Sequence, residues 1–504
     1  MKQLILLFKT KYTPLQQLLL IGLVIRLVSV FFSKGFGWHD DHFLIIESSQ
    51  NWADGFDNSW LPSKSDPTRG PQGHSFFYVG IHYYIFKFFH FIGVVDPQVK
   101  MFFIRLLHAI WSLLIIKYSY KIAEQYANKK VAWNVGIFMT LYWFMPFMSV
   151  RNLVEFVCVP PILIAIYQLN KKELNWKNFV YAGLWLGIAF SIRFQSVFIS
   201  FGVGLALLLL RTSFKNLVVL TLSFFAVVLL TQGVVDYMIW KKPFAEFMSY
   251  IDYNIANAGV YGSDVWHMYF DLILGLLIPP LSFVLFAGYF YSWKKTALIF
   301  WPVLFYLAFH TYFPNKQERF IMTILPLLII SGTIGMFMLW DKYKEKINLK
   351  LFRFSKIFVI TLNLILLPIL SSSYSKRHRV EAMYYLYNKN DSNNFMIEDS
   401  NKETDFLLPA LFYYGKWPSV YGINKTNTAD SALVYYNKLE LKDKPTYMVF
   451  WQAENIEARV DTVKKRFPNL TYETTINPSL IDKTLYWLNP FNDNQTAYIY
   501  RINK

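Results

Sequence analysis

The densest group of side chains able to do chemistry is Trp38-His39-Asp40-Asp41-His42-Phe43, followed by Glu47. Two adjacent carboxylates flanked by histidines, directly after a long apolar segment, are expected to shift one another's proton affinity. Such groups serve as a general base or bind a metal. The metal is the weaker use. His39, Asp40, Asp41 and His42 are consecutive, and neighbouring side chains point apart on a helix or a strand. The bland alternative is a solvated loop with an incidental charge pair. Further on, Asp66-Pro67-Thr68-Arg69-Gly70-Pro71-Gln72-Gly73-His74 adds Arg69 and His74. An arginine fork matches phosphate, although an arginine at headgroup level also simply snorkels.

A second group lies inside or beside apolar runs, where ionisable residues are costly and point to function. Arg151 is followed by Asn152 and Glu155, Arg193 has no basic loop nearby, and Asp236 is the only acid in a long hydrophobic stretch. A salt bridge between spans explains any one of them; three together favour a polar cavity. The string Trp266-His267-Met268-Tyr269-Phe270, shortly after Tyr261, reads either as an interfacial aromatic belt or as rings that stack on a sugar. In Phe313-Pro314-Asn315-Lys316-Gln317-Glu318-Arg319-Phe320, Lys316 and Arg319 are three apart, on one face of an expected helix start. That is an anion site, or else the positive flank of a membrane helix.

These residues need a scaffold, and the composition says which kind. Of 504 residues 54% are hydrophobic, 19% aromatic and 16% charged, which displaces the chain toward lipid. One cysteine, Cys158, excludes an intramolecular disulfide framework. Apolar runs occur at Leu15–Phe32, Phe76–Ile92, Phe102–Ile122, Val131–Val150, Leu153–Leu169, Phe179–Ser200, Val203–Leu210 and Leu217–Trp240. Others follow at Tyr269–Tyr291, Ala297–Phe313, Phe320–Leu339 and Ile357–Leu370. At about 20 residues per crossing they predict about 11 to 13 spans. The chain is thus expected to be an α-helical polytopic membrane protein over residues 1–370. A small soluble α/β domain over 371–504 carries strand-like Tyr447–Phe450 and Ala497–Tyr500 and helix-like Ala453–Arg466.

Orientation follows the basic loops. Lys2, Lys9, Lys11, Lys129–Lys130, Lys171–Lys172, Lys177, Lys294–Lys295 and the run from Lys342 to Lys356 are expected on the cytoplasmic side. The polar loops His39–Ser75 and Lys241–Trp266, and the C-terminal domain, are then extracytoplasmic. Counting both Phe76–Ile92 and Phe102–Ile122 as full spans breaks this parity, so one is expected to be interfacial or re-entrant. Leu15–Phe32 is too long for a cleavable h-region and reads as the first span. The net charge of +17 therefore reports topology and anionic lipid, not nucleic acid. Neither a GxxxxGK[ST] loop nor a GxGxxG turn occurs, which disfavours an ATP-driven pump.

Taken in order, the segments resemble glycosyltransferase family 22, the multi-spanning α-mannosyltransferases that use dolichyl-phosphate mannose in N-glycan and GPI-anchor assembly. The family's acidic pair, followed by Phe and a later Glu, looks like Asp40, Asp41, Phe43 and Glu47. Its Arg-Ser segment is similar to Arg69-Gly70, its Arg-Thr-x-x-N/E to Arg151-Asn152-Leu153-Val154-Glu155, and its Ala-Phe-x-x-Arg-Pro to Ala189–Phe194, with Phe194 in place of Pro. Its Asp…Asn…Tyr-Gly-x-x-x-Trp-His-x-Tyr-Phe block resembles Asp236, Asn254, Tyr261-Gly262 and Trp266–Phe270. Pro314–Phe320 resembles Pro-His-Lys-Glu-x-Arg-Phe, with Asn315 and Gln317 in place of His and Glu.

The resemblance, over roughly residues 12–340, implies a GT-C fold. It also implies inverting transfer of a hexose, mannose in the family, from a polyprenyl-phosphate donor to a glycan or glycolipid acceptor. Asp40, with Asp41 second, is then the catalytic base. Arg69, Lys316, Arg319 and His267 neutralise the donor phosphate. His39, Glu47, His74, Arg151, Arg193, Asp236, Tyr261 and Trp266 contact substrate. No cofactor or metal is implied, because a lipid phosphate carries less charge than a nucleotide diphosphate. A transporter of lipid-linked sugars is the alternative; it predicts inverted repeats, and none is visible. The absence of a terminal di-lysine signal and the Asn- and Lys-rich tail favour a bacterial cytoplasmic membrane with its active site facing out, over the endoplasmic reticulum.

Overall fold

A computed structural model of the chain describes residues 10–57, 60–63, 66–259, 265–490 and 496–503. Unbroken apolar sequence satisfies its backbone internally as helix, the form lipid demands. Among the described residues five helices are long and apolar enough to cross a bilayer: Pro14–Phe32, Pro97–Tyr126, Phe214–Trp240, Leu325–Lys346 and Leu349–Ser371. Met268–Leu276 and Leu281–Tyr291 qualify only as a pair, bent by 115°. Val154–Leu169, Phe194–Leu209 and Ala297–Tyr312 are shorter apolar helices. The protein is an integral membrane protein whose spans are repeatedly broken.

The chain divides into two compact units, one of residues 1–30, 60–81 and 104–371 and one of residues 31–59, 82–103 and 372–504. In the first unit the helices close up through small residues and buried hydroxyls, as membrane helices do. A Cβ on Gly335 would lie 1.8 Å from the Gly288 carbonyl oxygen, and one on Gly288 would lie 2.2 Å from that of Gly332. Beside them the hydroxyl of Ser331 bonds those of Ser292 and Thr296 at 3.0 and 2.7 Å. Buried Arg26 ties the first span to its neighbours, through Ser112 Oγ at 2.8 Å and the Met139 carbonyl at 3.1 Å.

In the second unit the segment after the first span runs beside the one after the last. Ser33 Oγ donates to the Ser373 carbonyl at 3.1 Å, and Gly35 bridges to Ser375. The turn before Pro97–Tyr126 belongs here too, since the Tyr384 hydroxyl donates to Asp96 at 2.7 Å. The described residues between Asp54 and Ser75 form no helix. Helix Phe76–Phe91, at 16 residues, is shorter than a bilayer crossing needs, whereas Pro97–Tyr126, at 30, is long enough. Two segments expected as loops are helical instead. Residues 39–53 form one helical run with a π-turn at Asp41–Glu47, and Ala245–Ala256 is a helix.

The C-terminal residues form a five-stranded sheet in the order β2-β1-β3-β5-β4, with β1 Phe395–Glu398, β2 Tyr421–Ile423, β3 Tyr447–Trp451, β4 Leu470–Ile476 and β5 Ala497–Ile502. The first three strands are parallel and β5 is antiparallel to both neighbours. Helices Ala429–Lys438 and Ile456–Lys464 bury Ala432, Val460 and Val463 against Met396, Met448 and Phe450.

The close helix crossing yields a test. Gly335→Ala must push backbone apart and should destabilise the protein by about 1–3 kcal/mol, read as a lower unfolding midpoint in detergent. Gly204→Ala, with nothing within 4 Å of the added methyl, should not.

Candidate active site

Three breaks between apolar helices bring three charges together in the first unit. Glu155 opens the short helix Val154–Val157 after the irregular stretch at Arg151–Leu153. Arg193 is extended, between helix Trp176–Ile192 and a 3-10 turn. Arg319 sits in the 3-10 segment Glu318–Thr323, after extended Gln317. Arg193 Nη2 is 2.9 Å and Arg319 Nε 3.6 Å from the same Glu155 oxygen, and the glutamate is fully buried. Each guanidinium is also fixed by a glutamine: Arg193 Nε donates to Gln195 at 3.0 Å and Arg319 Nε to Gln317 at 2.8 Å. Both lie over the ring of Phe320, at 5.3 and 5.9 Å. The surroundings add Tyr306, whose hydroxyl donates to the Phe320 carbonyl, and His310 stacked on it at 4.0 Å. Tyr269 accepts the Gln317 N–H at 3.2 Å. Buried cations held this firmly are pre-organised for an anion.

Next to this cluster, a carboxylate with no conspicuous sequence signal organises the Arg69–His74 loop. Glu246 Oε2 accepts the backbone N–H groups of Gln72, Gly73 and His74 at 3.0, 2.7 and 2.9 Å. Its Oε1 accepts the Trp240 indole N–H at 2.8 Å, and its own N–H donates to buried Asp236 at 2.9 Å. Gly73, at φ +78, lets the loop approach: a Cβ there would lie 3.0 Å from Tyr250 Cα. The loop is joined to the arginine cluster by Gln232, which donates to Ser75 at 2.7 Å, while Ser75 donates to the carbonyl of Ser191. Phe194 meets Tyr250 at 5.5 Å on the same path.

The other expected residues of this unit are spread around it. Arg69 Nη1 donates to the Leu61 carbonyl at 3.0 Å, with Asp66 3.7 Å from its Nε, so it braces its own loop. Arg151 is buried, 4.4 Å from the Phe147 ring centroid. Lys316 is buried too and donates to the Phe313 carbonyl at 3.1 Å. It lies before the helical turn, so Lys316 and Arg319 do not share a helix start; extended Gln317 separates them. His267 pairs with Asp271, and both His267 and Trp266 are exposed. From that segment it is Tyr269 that reaches the arginine cluster. Tyr261 lies outside the described residues.

In the second unit the acidic run is helical from His39. Asp41 is buried, whereas Asp40 is half-buried and His39 exposed. His42 is fully buried and stacked between Phe36 at 4.2 Å and Tyr413 at 5.5 Å, with Glu47 3.5 Å from its Nε2. Glu47 accepts the Phe412 N–H at 3.1 Å. Arg379 covers the Phe36 and Phe43 rings at 5.4 and 5.2 Å. Burial, helped by Arg379 and Lys376, pushes the His42 imidazolium well down. Burial also pushes the Glu47 carboxyl up to about 8, against the pull of the Phe412 N–H and Arg379. His42 and Glu47 are therefore a neutral pair packed beneath the acidic residues. Among the described residues no three His, Cys, Asp or Glu side chains converge on a point.

The raised carboxyl has a measurable consequence. Above about pH 5 an unfolded Glu47 has lost its proton, while the folded form keeps it to about 8, so stability falls as pH rises through that window. Glu47→Gln removes the titration. The unfolding midpoint of the native protein should drop relative to the variant between about pH 5 and pH 8; a difference that stays constant contradicts the assignment.

Comparison with known proteins agrees with this architecture. GPI mannosyltransferase 3 of Candida albicans is 27% identical over 239 residues, 45% of this chain and 46% of its own length. Alpha-1,2-mannosyltransferase ALG9 of Mus musculus is 23% identical over 323 residues, 59% of this chain and 49% of its own. The chain spans about half the length of the curated relatives it matches. Among solved structures, ArnT from Cupriavidus metallidurans bound to undecaprenyl phosphate superimposes with a TM-score of 0.63 at 10% identity, over 96% of this chain and 97% of that one. The oligosaccharyltransferase AglB from Archaeoglobus fulgidus, in complex with an inhibitory peptide and a dolichol-phosphate, gives 0.54 at 12%, over 93% and 74%. The fold is thus GT-C. The family model of the Alg9-like mannosyltransferases matches residues 17–406, well over half of the 504, and the chain belongs to that family.

Proposed function

We propose that the protein is a membrane glycosyltransferase that moves a hexose, mannose, from a polyprenyl-phosphate carrier to a hydroxyl of a glycan or glycolipid, with inversion. The observation that carries this reading is the convergence of Arg193 and Arg319 on one oxygen of buried Glu155, at 2.9 and 3.6 Å, where three apolar helices break. Membrane proteins keep such groups for function. Asp40 accepts the acceptor's hydroxyl proton as the new C1–O bond forms and the C1–O bond to phosphate breaks, with Asp41 its second. Arg193 and Arg319, with Lys316 and Arg69, take the charge that develops on the departing lipid phosphate. His267 is assigned to the donor phosphate, and His39, Glu47, His74, Arg151, Asp236, Tyr261 and Trp266 to substrate contact.

Family membership supports the reaction class, and the fold neighbours ArnT and AglB, solved with undecaprenyl phosphate and dolichol-phosphate, support the lipid-phosphate donor. We place the reaction on the extracytoplasmic face of a bacterial cytoplasmic membrane, with residues 34–75, 241–266 and 371–504 on that side. The basic loops at Lys129–Lys130, Lys171–Lys172 and Lys294–Lys295 support this orientation under the positive-inside rule.

Purified protein in lipid, given polyprenyl-phosphate mannose and a mannose-bearing acceptor, should release polyprenyl phosphate as it forms product. The double variant Asp40→Ala, Asp41→Ala should lose at least about 100-fold of that rate; transfer at the native rate overturns the proposal.

A further inference from the structure

The C-terminal domain carries one helix whose pattern fits neither its sheet nor its covering helices. Helix Leu480–Leu488 is opened by a Ser479 capping box, and its back face is fastened by buried Asp482. That carboxylate accepts the backbone N–H groups of Lys376 and Arg377, at 2.7 and 3.0 Å. The opposite face presents Leu480, Trp487 and Leu488, which at i, i+7 and i+8 share one stripe of a helix. They are 70%, 79% and 66% exposed. Exposed Lys483 lies beside the stripe, and exposed Arg377 adjoins the anchor at Asp482.

The position of the anchor decides what covers this face. Lys376 is five residues beyond Ser371, where the last span ends, and five residues reach at most about 18 Å. The same stretch runs beside Ser33–Gly35, which follows the last turn of the first span, where Phe31 and Phe32 are themselves exposed. The helix is thus tied to the stretch that follows the last span in the chain and runs beside the one that follows the first. A Trp/Leu stripe edged by basic residues matches the boundary between acyl chains and headgroups.

We propose that Leu480–Leu488 is an interfacial helix that lies in the headgroup layer and fastens the C-terminal domain to the membrane surface. Its partner is lipid, with anionic headgroups favoured by Arg377 and Lys483. Such anchoring is independent of the reaction proposed above.

Spin labels test it on the full-length protein in vesicles of phosphatidylcholine and phosphatidylglycerol. Cys158, the one native cysteine, is replaced by serine, and single cysteines are introduced as Trp487→Cys or Leu480→Cys. Lys442→Cys serves as the water-exposed control. That control adjoins Asp443, whose carbonyl accepts from Asn394, beyond the far end of helix Arg377–Tyr387. Both stripe positions should show several-fold higher oxygen than aqueous-nickel accessibility relative to the control, at a depth of about 5–10 Å. Labels at 480 and 487 as nickel-accessible as the control overturn the proposal. So does dipolar coupling between labels on two molecules without oxygen access, because a second copy then covers the face. Using two positions guards against one label disturbing the fold.

Discussion

The grip of Arg193 and Arg319 on Glu155 sets terms that the rest of the membrane unit must meet. A charge in an apolar bundle is tolerable only when paired and hydrogen-bonded, and non-helical backbone at that depth must be satisfied by protein. Each of the three charges sits at a helix break, so both costs arise in one place and are met there together. Gln195 and Gln317 hold the guanidinium groups, and Thr323 Oγ1 donates to the Glu155 carbonyl at 3.0 Å. The Phe320 ring provides a common floor for both cations. Removing any one of these props leaves a buried charge less well served.

A second device repeats the logic with the sign reversed. Glu246 gathers four donors, three of them consecutive backbone N–H groups, and so makes a polar loop part of a packed helix end. Across the Gln232–Ser75–Ser191 bonds that loop is mechanically continuous with Arg193. In the other unit, the acidic run rests on a neutral His42–Glu47 pair clamped by aromatic rings. Asp41 is drawn inside while Asp40 stays half-exposed, which separates the surroundings of the two adjacent carboxylates. The wide π-turn that begins at Asp41 produces this division.

What the sequence disclosed, and what it hid, follows from how far each signal reaches. Arg193 could be picked out because a charge in an apolar run is conspicuous by itself, and Arg319 by its spacing from Lys316, whereas Glu155 drew notice only as a neighbour of Arg151. Glu246 could not be picked out: it lies among polar neighbours in what reads as a loop, and its importance comes from N–H groups more than 170 residues away. Residues 39–53 and 245–256 read as loops because they mix polar and apolar residues, yet fold as helices packed on their own units. Lys316 and Arg319 at a spacing of three implied one helix face, but an extended residue between them cancels the spacing rule. The apolar character of Phe76–Phe91 reads as a span, and what the sequence does not disclose is that the turn after it bonds the C-terminal segment, through Asp96 and Tyr384. The small sheet was legible in its central strands, Tyr447–Trp451 and Ala497–Ile502, where hydrophobic residues dominate, and less so in the three-residue β2.

The central claim is that Arg193 and Arg319 are held ready for a lipid phosphate, and equilibrium binding of polyprenyl phosphate to the purified protein addresses it directly. Arg319→Gln leaves Arg193 and Glu155 as a pair and should weaken binding by about 10- to 100-fold, the value of one charge-assisted hydrogen bond. Glu155→Gln removes the competing carboxylate and should tighten binding. Opposite signs for the two variants are the predicted result; native affinity in Arg319→Gln, or weakening by both, would contradict the account.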